Sequence, residues 1–224
     1  MCREFYSRYL LTHLYTKSRI CGILVFMHYY FITYKPYLVL PQFTSKLAKQ
    51  TLADYFKVPK DVYPVGRLDE DSEGLLILTN DAQLNNRLLH PSFAHQREYW
   101  VQVEGNITQH GLAQLQAGVE ISVNGKLYKT KKCTATLFDA EPQVPQRVPP
   151  IRFRKQIPAP WIKLILTEGK NRQVRKMTAK IGFPTLRLIR YRIEGITLNG
   201  MKPGEMIELS KASTYKKLFG QGKT

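Results

Sequence analysis

With 224 residues, 43% of them hydrophobic and 11% aromatic, the chain is long enough to bury one sizeable core. Its 34 Lys and Arg against 17 Asp and Glu give a formal charge of +17, a field that concentrates nucleic acid or anionic lipid around the protein. Cys2, Cys21 and Cys133 contain no CxxC pair, which excludes a disulfide framework and fits a reducing, cytoplasmic setting.

Residues 1–26 lack turn and capping signals and precede an internal Met27. They are expected to be an extension outside the fold, with residues 27–224 forming the domain; a basic helical arm binding RNA or a membrane surface is the alternative for this stretch. The most apolar run, "ICGILVFMHYYFITY" (20–34), is shorter than the ~20 residues a spanning helix needs and contains His28, so no membrane partner is expected. No small-x-small cleavage site follows it.

From Met27 the pattern becomes regular. "HYYFITY" (28–34) is aromatic and β-branched, a strand, and "KP" ends it. "SKLAKQTLADYF" has Ser45 as N-cap and sets Ala48, Leu52 and Tyr55 on one face, which predicts a helix. "VYPVG" and "LLILT" are strands flanking an acidic loop. Asp81 caps a helix that Pro91 stops, "REYWVQVEG" alternates as a strand, and Thr108 and Gly118 bracket a second helix. Strands "LYKT" and "CTATLFDA" follow, then a proline-rich loop over residues 141–160. "WIKLILT" is a strand, "NRQVRKMTAKIG" a helix capped by Asn171 and closed by Gly182, "TLRLIRYRI" and "MIEL" are strands, and "KASTYKKLF" is a final helix. Strands joined mostly by hairpins, with helices outside, predict an α+β fold on a largely antiparallel mixed sheet.

The loop "GRLDEDSEG" places Asp69, Glu70, Asp71 and Glu73 together in a basic chain. Metal binding, capping and catalysis are the available explanations. Alternating calcium ligands and a central glycine are missing, and His13, His28, His90, His95 and His110 have no zinc spacing, so no metal is expected. A phosphate-cradling loop and a nucleophile elbow are absent too, and the expectation is a protein without a cofactor. Glu70, Asp71 and Glu73 read as solvated or turn-capping groups. Asp69 follows hydrophobic Leu68 and is placed to turn back toward the sheet. Paired with a guanidinium, it would be an ionised nucleophile or base.

In "EGKNRQVRKMTAKIG", helical spacing sets Val174, Met177, Thr178 and Ile181 on an apolar stripe, with Arg172, Lys176 and Lys180 opposite. Arg175 falls at the stripe's edge, half-buried. It either meets a carboxylate or snorkels to solvent.

"YKP", "GRLDEDSEGLLILTND", "REYWVQVEG" and "EGKNRQVRKM", in that order from about residue 30 onward, resemble the blocks of RNA pseudouridine synthases, in particular the branch acting on ribosomal RNA. Most of that branch carries an N-terminal S4 RNA-binding domain; "KPYLVLPQF" and "PPIRFRKQIPAPW" point to a large-subunit member without one. The resemblance implies the pseudouridine synthase fold with a basic catalytic cleft, and isomerisation of a uridine in 23S rRNA by a cofactor-free, cytoplasmic monomer. It further implies Asp69 as nucleophile, Tyr99 stacking on the extracted uracil and helping to move a proton, and Arg175 as the partner of Asp69. Lys35, Arg67, Arg172, Gln173, Lys176, Arg187, Arg190 and Arg192 are the expected RNA contacts. The competing reading is an RNA-binding assembly factor without catalysis.

Overall fold

A computed structural model describes residues 27–151, 154 and 156–220; the expectations for residues 1–26 lie outside these. β1 (Tyr30–Lys35) and β3 (Glu73–Thr79) are buried along their whole length and pair antiparallel, Tyr30 opposite Thr79 and Lys35 opposite Gly74. Their side chains alternate between two cores. Tyr30, Ile32, Tyr34, Leu75 and Ile77 meet α1 (Ala82–Leu89) and α4 (Lys211–Phe219), while Phe31, Leu76 and Leu78 meet Val39, Leu52, Phe56 and Val62 on the opposite face.

The main sheet runs β11 (Met206–Glu208), β1, β3, β9 (Thr185–Ile193), β4 (Arg97–Val103), β8 (Trp161–Leu166), β7 (Thr134–Leu137). Two short strands, β2 (Tyr63–Pro64) and β10 (Ile196–Thr197), pair with β3 and β9. Only the β3–β9 pairing is parallel among the described strands. The mostly antiparallel sheet agrees with the pattern of alternating strands. Over its β4–β8 half, α2 (Gln109–Ala117) and α3 (Gln173–Lys180) bury Leu112, Leu115, Val174 and Met177 against Val101, Ile162, Leu164 and Leu188. A separate hairpin, β5 (Glu120–Val123) and β6 (Lys126–Lys129), packs beside α3.

Caps act as expected at Asp81 and Thr108, and Ser210 caps the final helix in the same way. Asp81 accepts from the amides of Gln83 and Leu84, Thr108 from Gly111, and Ser210 from Ser213. Asp81 also accepts from the Tyr30 and Tyr215 hydroxyls at 2.7 Å, tying β1, α1 and α4 together.

The helix expected from Ser45 does not form; only a 3₁₀ turn, Leu52–Asp54, is present. The backbone there bonds sideways, Leu40 N to Gln50 O and Leu52 N to Gln42 O, so Leu52 reaches the core from the first position of the 3₁₀ turn. α3 begins one residue later than expected, at a left-handed Arg172 (φ 52°) with no side-chain cap, so Asn171 is not the cap. The strand β5 lacked a strong sequence signal, while the described part of 141–160 has no regular structure, as its prolines imply.

Candidate active site

The acidic loop joins β2 to β3. Gly66 turns the chain at φ +71°, Leu68 is buried beneath, and the Ser72 amide donates to Asp69 O at 3.0 Å. This anchoring of Leu68 leaves Asp69 half-buried at the wall of a cavity of about 730 Å³, a size suited to a small organic group. Tyr99 from β4, Arg190 from β9, Arg67 from the loop and the 166–174 turn into α3 line the same cavity. Tyr99 and Arg190 are direct cross-strand partners, which sets their side chains side by side on one face.

Buried cations grip the loop by its backbone. Lys35, fully buried, donates to Pro36 O at 2.9 Å, Val39 O at 2.8 Å and Glu70 O at 3.3 Å. Burial pushes its pKa down to about 7, against the pull of Glu73. Arg190 donates from Nε to Leu75 O at 2.8 Å and from Nη1 to Arg67 O at 3.2 Å, clamping both ends of the segment that carries Asp69. Arg175 donates to Asp71 O. Gly74, at φ +111°, lets β3 lie against β9: a Cβ there would come within 2.5 Å of Arg190 O.

These contacts revise several sequence expectations. The carboxylate paired with Arg175 is Asp71, at 3.3 Å, rather than Asp69; Asp71 also takes two bonds from Arg172, at 3.0 and 2.6 Å. Asp71 is therefore a partly exposed carboxylate paired with two guanidiniums, not a free turn group. Burial raises its pKa, but the two guanidiniums outweigh this and hold it below the usual carboxylate range. Arg175 is half-buried at the helix edge as its spacing implied, and burial lowers its pKa against the support of Asp71. The Asp69 charge reaches Arg172, Arg175 and Arg190.

Four of the residues assigned to RNA are withdrawn from it. Lys35 is bonded to carbonyls. Arg187 forms a buried two-bond pair with Glu73, both bonds 2.8 Å long, so Glu73 is not a solvated turn group. Arg190 is buried in the loop clamp. Gln173 is buried as well, donating to Glu168 and accepting from the Lys170 amide. The three basic residues share a reason: β1 and β9 lie inside a sheet covered on both faces, so even their long polar side chains find protein partners, whereas Gln173 is held by local bonds at the start of α3. Arg192 pairs with Glu98 at 2.9 Å. Arg67 and Arg172 remain exposed at the cavity, and Lys176 is half-exposed on α3.

The sequence reading missed Glu168. It accepts from the Tyr128 hydroxyl, the Lys131 amide at 2.9 Å and Gln173 Nε2 at 2.7 Å, joining the β5–β6 hairpin to the start of α3. The hydrogen bond to Glu168 pushes the Tyr128 pKa up to about 12. Lys131 and Lys170 are exposed at the cavity mouth, Lys170 lying 4.7 Å over the Tyr128 ring. The "TEGK" stretch offered no periodicity to reveal this link. Among the described residues no cluster of three or more His, Cys, Asp or Glu is placed to hold a metal, and no helix is long and apolar enough to cross a membrane.

Residues 29–180 match the family profile described as RNA pseudouridylate synthase. The chain is 48% identical over 179 residues to ribosomal large subunit pseudouridine synthase E of Vibrio vulnificus, covering 80% of this chain and 74% of that protein. It is 32% identical over 182 residues to ribosomal large subunit pseudouridine synthase B of Bacillus subtilis, covering 81% and 68%. A solved pseudouridylate synthase shares the fold with a TM-score of 0.70 at 24% identity, over 87% of this chain and 75% of that one. With Asp69 and Tyr99 facing one cavity and a family match over residues 29–180, this protein belongs to the RNA pseudouridylate synthases, isomerases of uridine in RNA.

Proposed function

We propose that the chain converts a uridine of large-subunit (23S) ribosomal RNA into pseudouridine, with Asp69 as the nucleophile. The observation that carries this is the meeting of Asp69 and Tyr99 in one cavity rimmed by Arg67, Lys131, Lys170 and Arg172. The likeness to named large-subunit synthases supports the substrate.

The reaction breaks the N1–C1′ bond, turns the base and rejoins it through C5, so the product has the atoms of the substrate. The uridine must leave its stack, at a cost on the order of a few kcal/mol. Stacking on the Tyr99 ring, worth roughly 1–3 kcal/mol per base, offsets this and retains the freed uracil. Asp69 engages the ribose or base as nucleophile, in the field of Arg172, Arg175 and Arg190. Arg175 acts through Asp71, holding the loop that presents Asp69. The exposed cations at the rim take RNA phosphates, which makes binding salt-dependent.

Mapping pseudouridines in ribosomal RNA from cells with and without the gene tests the proposal. One large-subunit site should vanish without the gene and return with the wild-type copy but not with Asp69→Asn. An unchanged map would refute it.

A further inference from the structure

Among the described residues of the cavity wall, Arg190 carries a buried guanidinium nitrogen without a partner. Nε and Nη1 are fixed on Leu75 O and Arg67 O, while Nη2 is buried and without a hydrogen-bond partner. A buried cationic donor left open is costly, and such groups cluster where chemistry needs them. Its cross-strand neighbour is Tyr99, and both line the cavity with Asp69. We propose that Arg190 is a positioning residue for Tyr99: Nη2 binds the phenol oxygen as Tyr99 accepts the proton lost from C5 of the rotated base.

The chemistry requires such an acceptor. Once C5 has bonded to C1′, the ring carries both the sugar and a hydrogen at C5, with a double bond between N1 and C6. Removing the C5 proton returns its electron pair to C5=C6; the former N1=C6 pair moves to N1, which takes a proton from solvent. The Tyr99 phenol oxygen receives the C5 proton as its own proton passes to solvent, so protons and electrons balance without a redox partner. A phenolate beside a fixed guanidinium is stabilised by a charge that needs no reorganisation. Tyr99 and Asp69 both lie close enough to Arg190 to favour its charge, whereas burial and Arg97 oppose it. Gly74 lets the β3 backbone approach Arg190 closely enough for this arrangement.

The inference rests on the pseudouridine synthase reading of Asp69 and Tyr99. Its test is single-turnover conversion of a 23S rRNA transcript carrying uridine or 5-deuterated uridine by the full chain. Arg190→Met should slow conversion by about 10²-fold or more, the scale of a general-base contribution, and Arg190→Lys by less. In both, a primary isotope effect at C5 should emerge or grow. In a Tyr99→Phe background, Arg190→Met should add less than about threefold, because the two groups act as a unit. Equal losses with and without Tyr99→Phe, or an unchanged isotope effect, would overturn the inference. If Arg190→Met does not fold, Arg190→Lys alone decides through the isotope effect and the same cycle. Activity retained in Asp69→Asn would instead overturn the reading on which the inference rests.

Discussion

Arg187→Met separates a core ion pair from an RNA contact. Arg187 and Glu73 have side chains 6% and 2% exposed and share two bonds of 2.8 Å, and Arg187 gives a third to Pro145 O. Removing the arginine strands a buried carboxylate, which costs about 3–5 kcal/mol. At about 2–4 °C per kcal/mol for a domain of this size, the melting temperature should fall by roughly 6–20 °C. Adding Glu73→Leu should restore much of the loss, because no charge is then left unpaired. Urea unfolding measures the stabilities, and RNA affinity against salt concentration supplies the second axis. The slope of log affinity on log salt should not change, since a buried arginine neutralises no phosphate. A stability loss below about 1 kcal/mol, together with a slope reduced by nearly one, would refute the assignment.

Asp71→Asn should lower kcat with RNA binding nearly intact, because Arg175 and Arg172 lose the carboxylate that orders the loop; wild-type turnover would show that the pair is dispensable. Gly74→Ala should destabilise the fold, since φ +111° and a Cβ 2.5 Å from Arg190 O are both unfavourable; an unchanged urea midpoint would contradict this. Lys35 has a folded pKa near 7 against an ordinary value of 10.5, so above pH 7 the unfolded chain binds the extra proton and its contribution to stability rises with pH. The stability of wild type relative to Lys35→Met should therefore grow by about 2 kcal/mol from pH 7 to 9, measured by urea unfolding; a flat difference would show that Lys35 stays charged.

Much of the fold was legible because local and global signals agree. Asp81, Thr108 and Gly118 mark helix ends where they occur, and the aromatic, β-branched composition of residues 28–34 and the alternation along 97–105 match β1 and β4. The failure at Ser45 has a physical cause: the Leu52 spacing suits a helix, but Leu40 N–H donates to the Gln50 carbonyl and the Gln42 carbonyl accepts from the Leu52 amide, groups a helix would use. For the site, the position after Leu68 turned Asp69 toward the sheet, the family resemblance made it the nucleophile, and helical spacing set Arg175 at a helix edge, yet a period along one element cannot say which carboxylate on another element is reached. Hence Asp71 rather than Asp69 faces Arg175. The charge excess pointed to RNA, but several of its members hold the loop instead. Lys35, Arg187 and Arg190 sit on interior strands, where burial depends on sheet order, and strand order is not written in any single strand.

The most direct test of the central claim is tritium release from 5-³H-uridine in 23S rRNA, since C5 loses its hydrogen only when the new bond to C1′ forms. Asp69→Asn keeps the shape of the side chain and removes the nucleophile. Release should fall to background while melting temperature and RNA affinity stay near wild type. Release within tenfold of wild type would contradict the assignment of Asp69 as the nucleophile.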